Sequence, residues 1–229
     1  MPSSQVWPQY LGLPQRAGRL YAIVDVEMAA SAGWTPLDLV SAYLSGGAHL
    51  IQLRAKSLSG SAFLDLACRM HDLTAAAGAL LIVNDRADIA RSAGAEGVHV
   101  GQDDLPPAAV RRLVGLESIV GLSSHTDEQV LQAITEPISY MAIGPVFTTA
   151  TKNDAQPPIG LIGVRQAAKA AAPRALGVIG IGGITLARAR EVVDAGAAGV
   201  AVISDLLVGG GPEARTRAYI ARLAEVGTV

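Results

Sequence analysis

Short apolar runs rich in Val, Ile and Leu alternate with Ala-rich amphipathic stretches through most of the chain. The runs LYAIVDV (20–26), HLIQLRAK (49–56), LLIVND (80–85) and GVHVG (97–101) predict four strands. SIVGLSS (118–124), YMAIGPVF (140–147), LGVIGIGG (176–183) and GVAVIS (199–204) predict four more. Between and after them PLDLVSAYLSGG, SAFLDLACRMHDLTAAAG, RADIARSAG, PPAAVRRLVG, DEQVLQAIT, LIGVRQAAKAA, LARAREVVDAG and PEARTRAYIARLAEVG read as helices. Strict alternation argues a parallel sheet, whose strands are buried on both faces and therefore apolar almost throughout. Eight such units in about 200 residues predict a single closed (β/α)8 TIM barrel at the compact end of its size range. A doubly wound sheet is the alternative, since periodicity alone does not close a barrel. No linker or charge block separates the units, so residues 20–229 read as one catalytic domain. It follows an N-terminal arm, 1–19, in which Pro and Gln are scattered.

Punctuation agrees with this register. Gly46, Gly47, Gly78, Gly94, Gly115 and Gly196 fall just past helical stretches, where a left-handed residue is wanted. Thr35-Pro36, Asp104-Leu105-Pro106 and Thr126 stand where N-caps and first turns belong.

Composition narrows the class. Half of the 229 residues are hydrophobic, 17% are charged and 25 are Gly, as a buried sheet wrapped in Ala-rich helices requires. A formal charge of −2 lacks the basic stripe of a nucleic-acid partner. No apolar run approaches the roughly 18 residues of a membrane span, and the first residues carry no apolar signal core. The lone Cys68 reads as a small helix residue rather than a nucleophile, and its isolation points to a reducing, cytoplasmic setting.

The chemistry gathers at the carboxyl ends of the predicted strands, where α/β barrels place their sites. Gln52, Arg54 and Lys56 are two apart and share one face of their strand, while Ile51, Leu53 and Ala55 take the face toward the helices. A buried parallel strand has no solvated face, so the three polar side chains point toward the barrel mouth. Asn84, Asp85 and Arg86 end the third strand, and Asp104 follows the fourth. Two carboxylates on neighbouring strand ends, without His or Cys, suit a hard cation such as Mg2+. Against this, Asp104 would serve as a helix cap and Asp85 as a partner of Arg86, and spacing alone does not separate Asp104 from Asp103. In IGIGGIT, Gly182 and Gly183 form a turn that lets backbone N–H groups approach a phosphate, with a helix beginning near Thr185. Ile203 and Ser204 end the eighth strand, beside that phosphate corner. The loop FTTATKNDAQPPIG (147–160) carries Thr149, Thr151 and Lys152, hydroxyls and a cation suited to a phosphate or equally to solvent. His49 and His99 lie within strands and read as satisfied interior residues, and His71 as a helix-surface residue. His125, near Ser123, stands between helix capping and function.

QLRAK, NDRADIA, GVHVGQDDLP, GLSSHT, IGPVFTTATKNDA, IGIGGI and GVAVIS occur in the order and spacing of the thiamine-phosphate synthase family, which the chain resembles over about residues 20–205. The resemblance implies a Mg2+-dependent transferase, one ion per site, that joins a hydroxymethylpyrimidine diphosphate to a thiazole phosphate. Thiamine monophosphate and diphosphate would be the products, with diphosphate leaving before the thiazole nitrogen captures a pyrimidine-methyl cation. It places Gln52, Arg54, Lys56, Asn84, Ser123 and Lys152 on the pyrimidine diphosphate, with Lys56, Ser123 and Lys152 as the catalytic set. Thr149, Thr151, Gly183, Ile203 and Ser204 fall to the thiazole phosphate, and Asp85 and Asp104 to the metal. Two residues depart from the family pattern: Thr148 replaces a frequent proline, and Asp205 replaces a small residue. Whether the Asp205 charge faces the anion site or points away is open at this level, as is homo-oligomerisation. A thiazole tautomerase on the same barrel, suggested by Ser123 and His125, and a non-catalytic phosphate-ligand sensor are the rival readings. The first needs no diphosphate site, and the second would be expected to have lost some of these charges.

Overall fold

The computed structural model describes residues 19–149 and 157–224. Its eight strands are β1 (Leu20–Asp25), β2 (Leu50–Arg54), β3 (Leu80–Asn84), β4 (Gly97–Val100), β5 (Ile119–Ser124), β6 (Tyr140–Ile143), β7 (Gly177–Ile181) and β8 (Gly199–Val202). They pair in sequence order, all parallel, and β8 closes on β1 through Leu20 opposite Val200 and Ala22 opposite Val202. The barrel is therefore shut, and the doubly wound alternative falls.

Nine α-helices lie among the described residues: α1 (Val26–Ser31), α2 (Pro36–Ser45), α3 (Gly60–Ala76), α4 (Ala87–Ala93), α5 (Pro107–Val114), α6 (Asp127–Ala133), α7 (Gly160–Ala171), α8 (Ala189–Asp194) and α9 (Pro212–Ala224). Strand alternation sorts the apolar side chains into two layers. Ile51, Leu53, Leu81, Val83, Val98, Val100 and Val200 face outward into the helix–barrel layer. Tyr21, Ile23, Leu50, Ile82, Ile119, Tyr140 and Ile179 fill the barrel interior.

Several boundaries differ from expectation. Helix α1 follows β1 directly, started by the Asp25 carboxylate accepting the Met28 N–H at 2.9 Å. Thr35 and Thr126 cap α2 and α6 as expected, the latter with a reciprocal Gln129 contact. Asp104 caps nothing: α5 starts at Pro107 with no side-chain cap, and Asp104 Oδ2 instead accepts the Gly101 N–H at 2.7 Å. Strand β6 ends at Ile143, two residues before Pro145, which offers no ladder donor. After β7 the chain turns on the Thr185 carbonyl, and α8 begins only at Ala189.

Candidate active site

The strand-end residues of β1 to β5 converge at one mouth. Gln52 lies on the interior face of β2, only 4% exposed, and its Nε2 donates to Tyr21 Oη at 2.8 Å. Arg54, two residues on, is paired with the buried Asp25 directly across from it at the end of β1. Lys56 lies beyond the strand, half exposed, with Nζ 2.5 Å from Asp85 Oδ2. The segment after it is tied down by Glu27 Oε1, which accepts the Ser57 N–H at 2.9 Å and the Ser57 hydroxyl at 2.6 Å. Asn84, at the end of β3, is buried on the same face as Ile82.

Asp85 is the strained residue of the mouth. Its φ of 64° is left-handed, a conformation non-glycine residues rarely hold, while its N–H donates to the His99 carbonyl at 2.7 Å. The bend brings the Asp85 carboxylate to Lys56. Arg86 instead turns outward to Asp88, at 2.6 Å, so the alternative pairing of Asp85 with Arg86 does not form and Arg86 leaves the site. Burial, and then the nearby Asp104 carboxylate, lift the Asp85 carboxyl above its ordinary value against the pull of Lys56. Asp104 is half-buried and Asp103 exposed. Among the described residues no group of three or more His, Cys, Asp or Glu side chains is gathered for a metal. A facing pair of carboxylates still fits a cation that takes one or two protein carboxylates and completes its shell with water and phosphate oxygens.

On the far side, Ser123 Oγ lies 2.8 Å from His99 Nε2. The Gly183 turn is left-handed, with φ of 96° at Gly182 and 62° at Gly183. A Cβ at Gly183 would come within 2.5 Å of the Thr148 carbonyl oxygen and 2.8 Å of that of Phe147, so only glycine lets the two loops meet. Thr149, half-buried, continues the loop that touches Gly183. Ile203 follows β8 and Ser204, exposed, opens a 3-10 segment, Ser204–Gly210. Thr151 and Lys152 lie outside the described residues. The Asp205 carboxylate turns away from the mouth: its Oδ2 accepts from Leu186 N–H at 3.0 Å, Arg215 Nη2 at 2.7 Å and Tyr219 Oη at 2.5 Å. His125 holds the Gly144 carbonyl through Nδ1 at 2.6 Å and is neither cap nor partner of Ser123.

Asp25, Glu27, Tyr21 and Tyr140 escaped the sequence reading. Asp25 carried the same signal as Asp85, a carboxylate ending an apolar run; the tyrosines looked like core.

The sequence profile of the family described as thiamine monophosphate synthase matches residues 20–206. A thiamine-phosphate synthase of Roseiflexus castenholzii is 46% identical over 95% of this chain and 93% of its own length. Another, from Chloroflexus aurantiacus, is 42% identical over 81% of this chain and 83% of its own. The solved thiamine phosphate pyrophosphorylase of Pyrococcus furiosus superposes with a TM-score of 0.81 at 30% identity, over 92% of this chain and 98% of that one.

Proposed function

Because the chain belongs to the thiamine monophosphate synthase family, we infer that it condenses a hydroxymethylpyrimidine diphosphate with a thiazole phosphate, giving thiamine monophosphate and diphosphate. It is a transferase built on a (β/α)8 barrel. The observation that carries this reading is the cluster of Lys56, Asp85 and Asp104 beyond the strand ends of a closed barrel that also carries the Gly183 turn after β7. A carboxylate pair beside an ammonium serves a metal-bridged diphosphate, and a glycine turn after β7 serves a second phosphate.

Asp85 and Asp104 would hold Mg2+, whose charge would offset that gathering on the departing diphosphate. Lys56 adds a cation from the protein itself, and Arg54, held by Asp25, supplies a fork shaped for phosphate oxygens. Lys152 is assigned to the same leaving group on the family pattern. Gln52, Asn84 and Ser123 orient the pyrimidine ring, and Thr149, Thr151, Gly183, Ile203 and Ser204 receive the thiazole phosphate. The reaction needs no protein nucleophile: positioning and electrostatic stabilisation of the leaving group do the work. No helix among the described residues is long and apolar enough to cross a membrane.

The tautomerase reading relied on Ser123 and His125 acting together. They take different partners, His99 and the Gly144 carbonyl, which counts against it. Incubation of the protein with both substrates and Mg2+ should yield thiamine monophosphate and diphosphate in equal amounts. No product, with folded protein and both substrates intact, would overturn the reading.

A further inference from the structure

A hydrogen-bonded chain crosses the barrel interior from β2 to β5. Gln52 Nε2 donates to Tyr21 Oη at 2.8 Å, and the Tyr21 and Tyr140 hydroxyls lie 3.0 Å apart. Tyr140 Oη is 2.9 Å from His99 Nδ1, and His99 Nε2 is 2.8 Å from Ser123 Oγ. The rings are set for this: Tyr21 meets Tyr140 edge-on, and Tyr140 stacks on His99. Gly121 makes the room, since a Cβ there would overlap Tyr140 Cζ and lie 2.5 Å from His99 Nδ1. Both ends of the chain are residues assigned above to the pyrimidine ring. The three in the middle have had no part in the reaction so far.

Polar groups among Ile23, Ile82 and Ile179 are costly unless each hydrogen finds an acceptor. Burial pushes both phenols well above their ordinary range, so each remains a hydroxyl with one hydrogen to give. With Gln52 donating, Tyr21 passes its hydrogen to Tyr140 and Tyr140 passes its own to His99 Nδ1. His99 then carries its proton on Nε2 and donates to Ser123. Gln52 keeps its carbonyl oxygen for a ligand, and Ser123 keeps its hydroxyl hydrogen. Turning the Gln52 amide over would reverse every bond, making Gln52 the donor and Ser123 the acceptor. The two ends cannot choose independently.

We propose that Tyr21, Tyr140 and His99 are positioning residues that set the specificity of the pyrimidine site, by obliging Gln52 and Ser123 to present opposite hydrogen-bonding characters to one ligand. The proposal rests on the pyrimidine assignment made above. The polarity that follows from Gln52 donating to Tyr21, an acceptor at Gln52 and a donor at Ser123, matches an exocyclic amino group and a ring nitrogen of an aminopyrimidine. A ligand with two acceptors at those atoms would have to break the chain.

The test compares dissociation constants, by calorimetry with Mg2+ and no thiazole, for the 4-amino pyrimidine diphosphate and its 4-methoxy analogue. In Tyr140→Phe the rings stay packed but the chain is cut. The preference for the amino compound should then fall by about tenfold or more relative to wild type, as expected when one buried partner is removed. An unchanged preference in the folded variant overturns the proposal. If Tyr140→Phe does not fold, Tyr21→Phe cuts the chain next to it and is read the same way. A third measurement needs no variant: nitrogen resonances of His99 in the wild-type complex with the 4-amino compound should show the proton on Nε2. A proton on Nδ1 there would overturn the proposed polarity. If the wild-type protein binds neither compound, the functional reading itself fails. If it binds the amino compound and the preference survives the cut, only the coupling fails.

Discussion

Asp104 separates a metal-site role from a structural one more cleanly than any other single residue. Its Oδ2 accepts the Gly101 N–H, and an asparagine oxygen can keep that bond while losing the charge. Asp104→Asn should therefore melt within a few degrees of wild type and yet lose about 100-fold or more in turnover at limiting Mg2+, the scale of one lost transition-state stabiliser. Turnover within about threefold of wild type would remove Asp104 from the metal site. The thiazole phosphate calls for a different probe. Gly183 is the obvious target, but its positive φ and the Thr148 carbonyl 2.5 Å from any added Cβ mean that Gly183→Val would displace two loops at once. Ser204 is exposed, so Ser204→Ala should cost less than about 0.5 kcal/mol in stability. It should raise KM for the thiazole phosphate about tenfold, as for a lost hydrogen bond to a charged group, and leave KM for the pyrimidine diphosphate unchanged. Equal shifts in both constants would place Ser204 outside the thiazole site.

Between elements, Asp205 joins three pieces of chain: the turn after β7 through Leu186, the 3-10 segment after β8, and α9 through Arg215 and Tyr219. The Tyr219 phenol is held far above its ordinary range by burial and then by this carboxylate, so it stays a donor. Asp205→Ala would leave Arg215 and Tyr219 without their shared acceptor and should cost about 2–3 kcal/mol, seen as a lower urea midpoint with an unchanged slope. A loss below about 0.5 kcal/mol would show that solvent replaces the bonds. The sequence could not reveal this lock, because Arg215 and Tyr219 are ten or more residues away on a helix whose rotation no local pattern fixes. Strands were legible because a buried parallel strand must be apolar along its length, and each observed strand lies inside its expected run. Their ends were overextended wherever apolar residues continue past the last paired residue, as in Pro145-Val146-Phe147 after β6. Helix α1 was missed because its six residues are too few to show a period. Of the site, the side chains ending strands could be read from their positions. The partners that aim them, Asp25 for Arg54 and Lys56 for Asp85, follow from which strand ends become neighbours on closing the barrel.

Across the whole molecule, closure makes the mouth a shared property of every strand, so a ligand there cross-links the ends of a cooperative unit. Lys56 sits on Asp85 at 2.5 Å, and Asp85 faces a second carboxylate. A divalent cation arriving alone at the proposed site would compete with the ammonium, and diphosphate arriving alone would meet two negative side chains. At the proposed site the two together would resolve both conflicts: diphosphate would draw Lys56 away, the carboxylates would be left to the metal, and each ligand would neutralise what repelled the other. Binding of Mg2+ and of diphosphate should therefore be positively coupled, and by linkage the coupling is the same whichever binds first. A tenfold coupling is worth about 1.4 kcal/mol, which for a domain of this size adds roughly 3–6 °C to Tm beyond the separate effects. Thermal melts with Mg2+, with diphosphate, with both, and with both plus a chelator read this directly. The chelator should return Tm to the diphosphate-only value. In Lys56→Met the Mg2+-only shift should grow, because the competing ammonium has gone, and the excess from adding both should shrink. Strictly additive shifts in the wild-type protein would mean that Lys56 and the metal do not share Asp85.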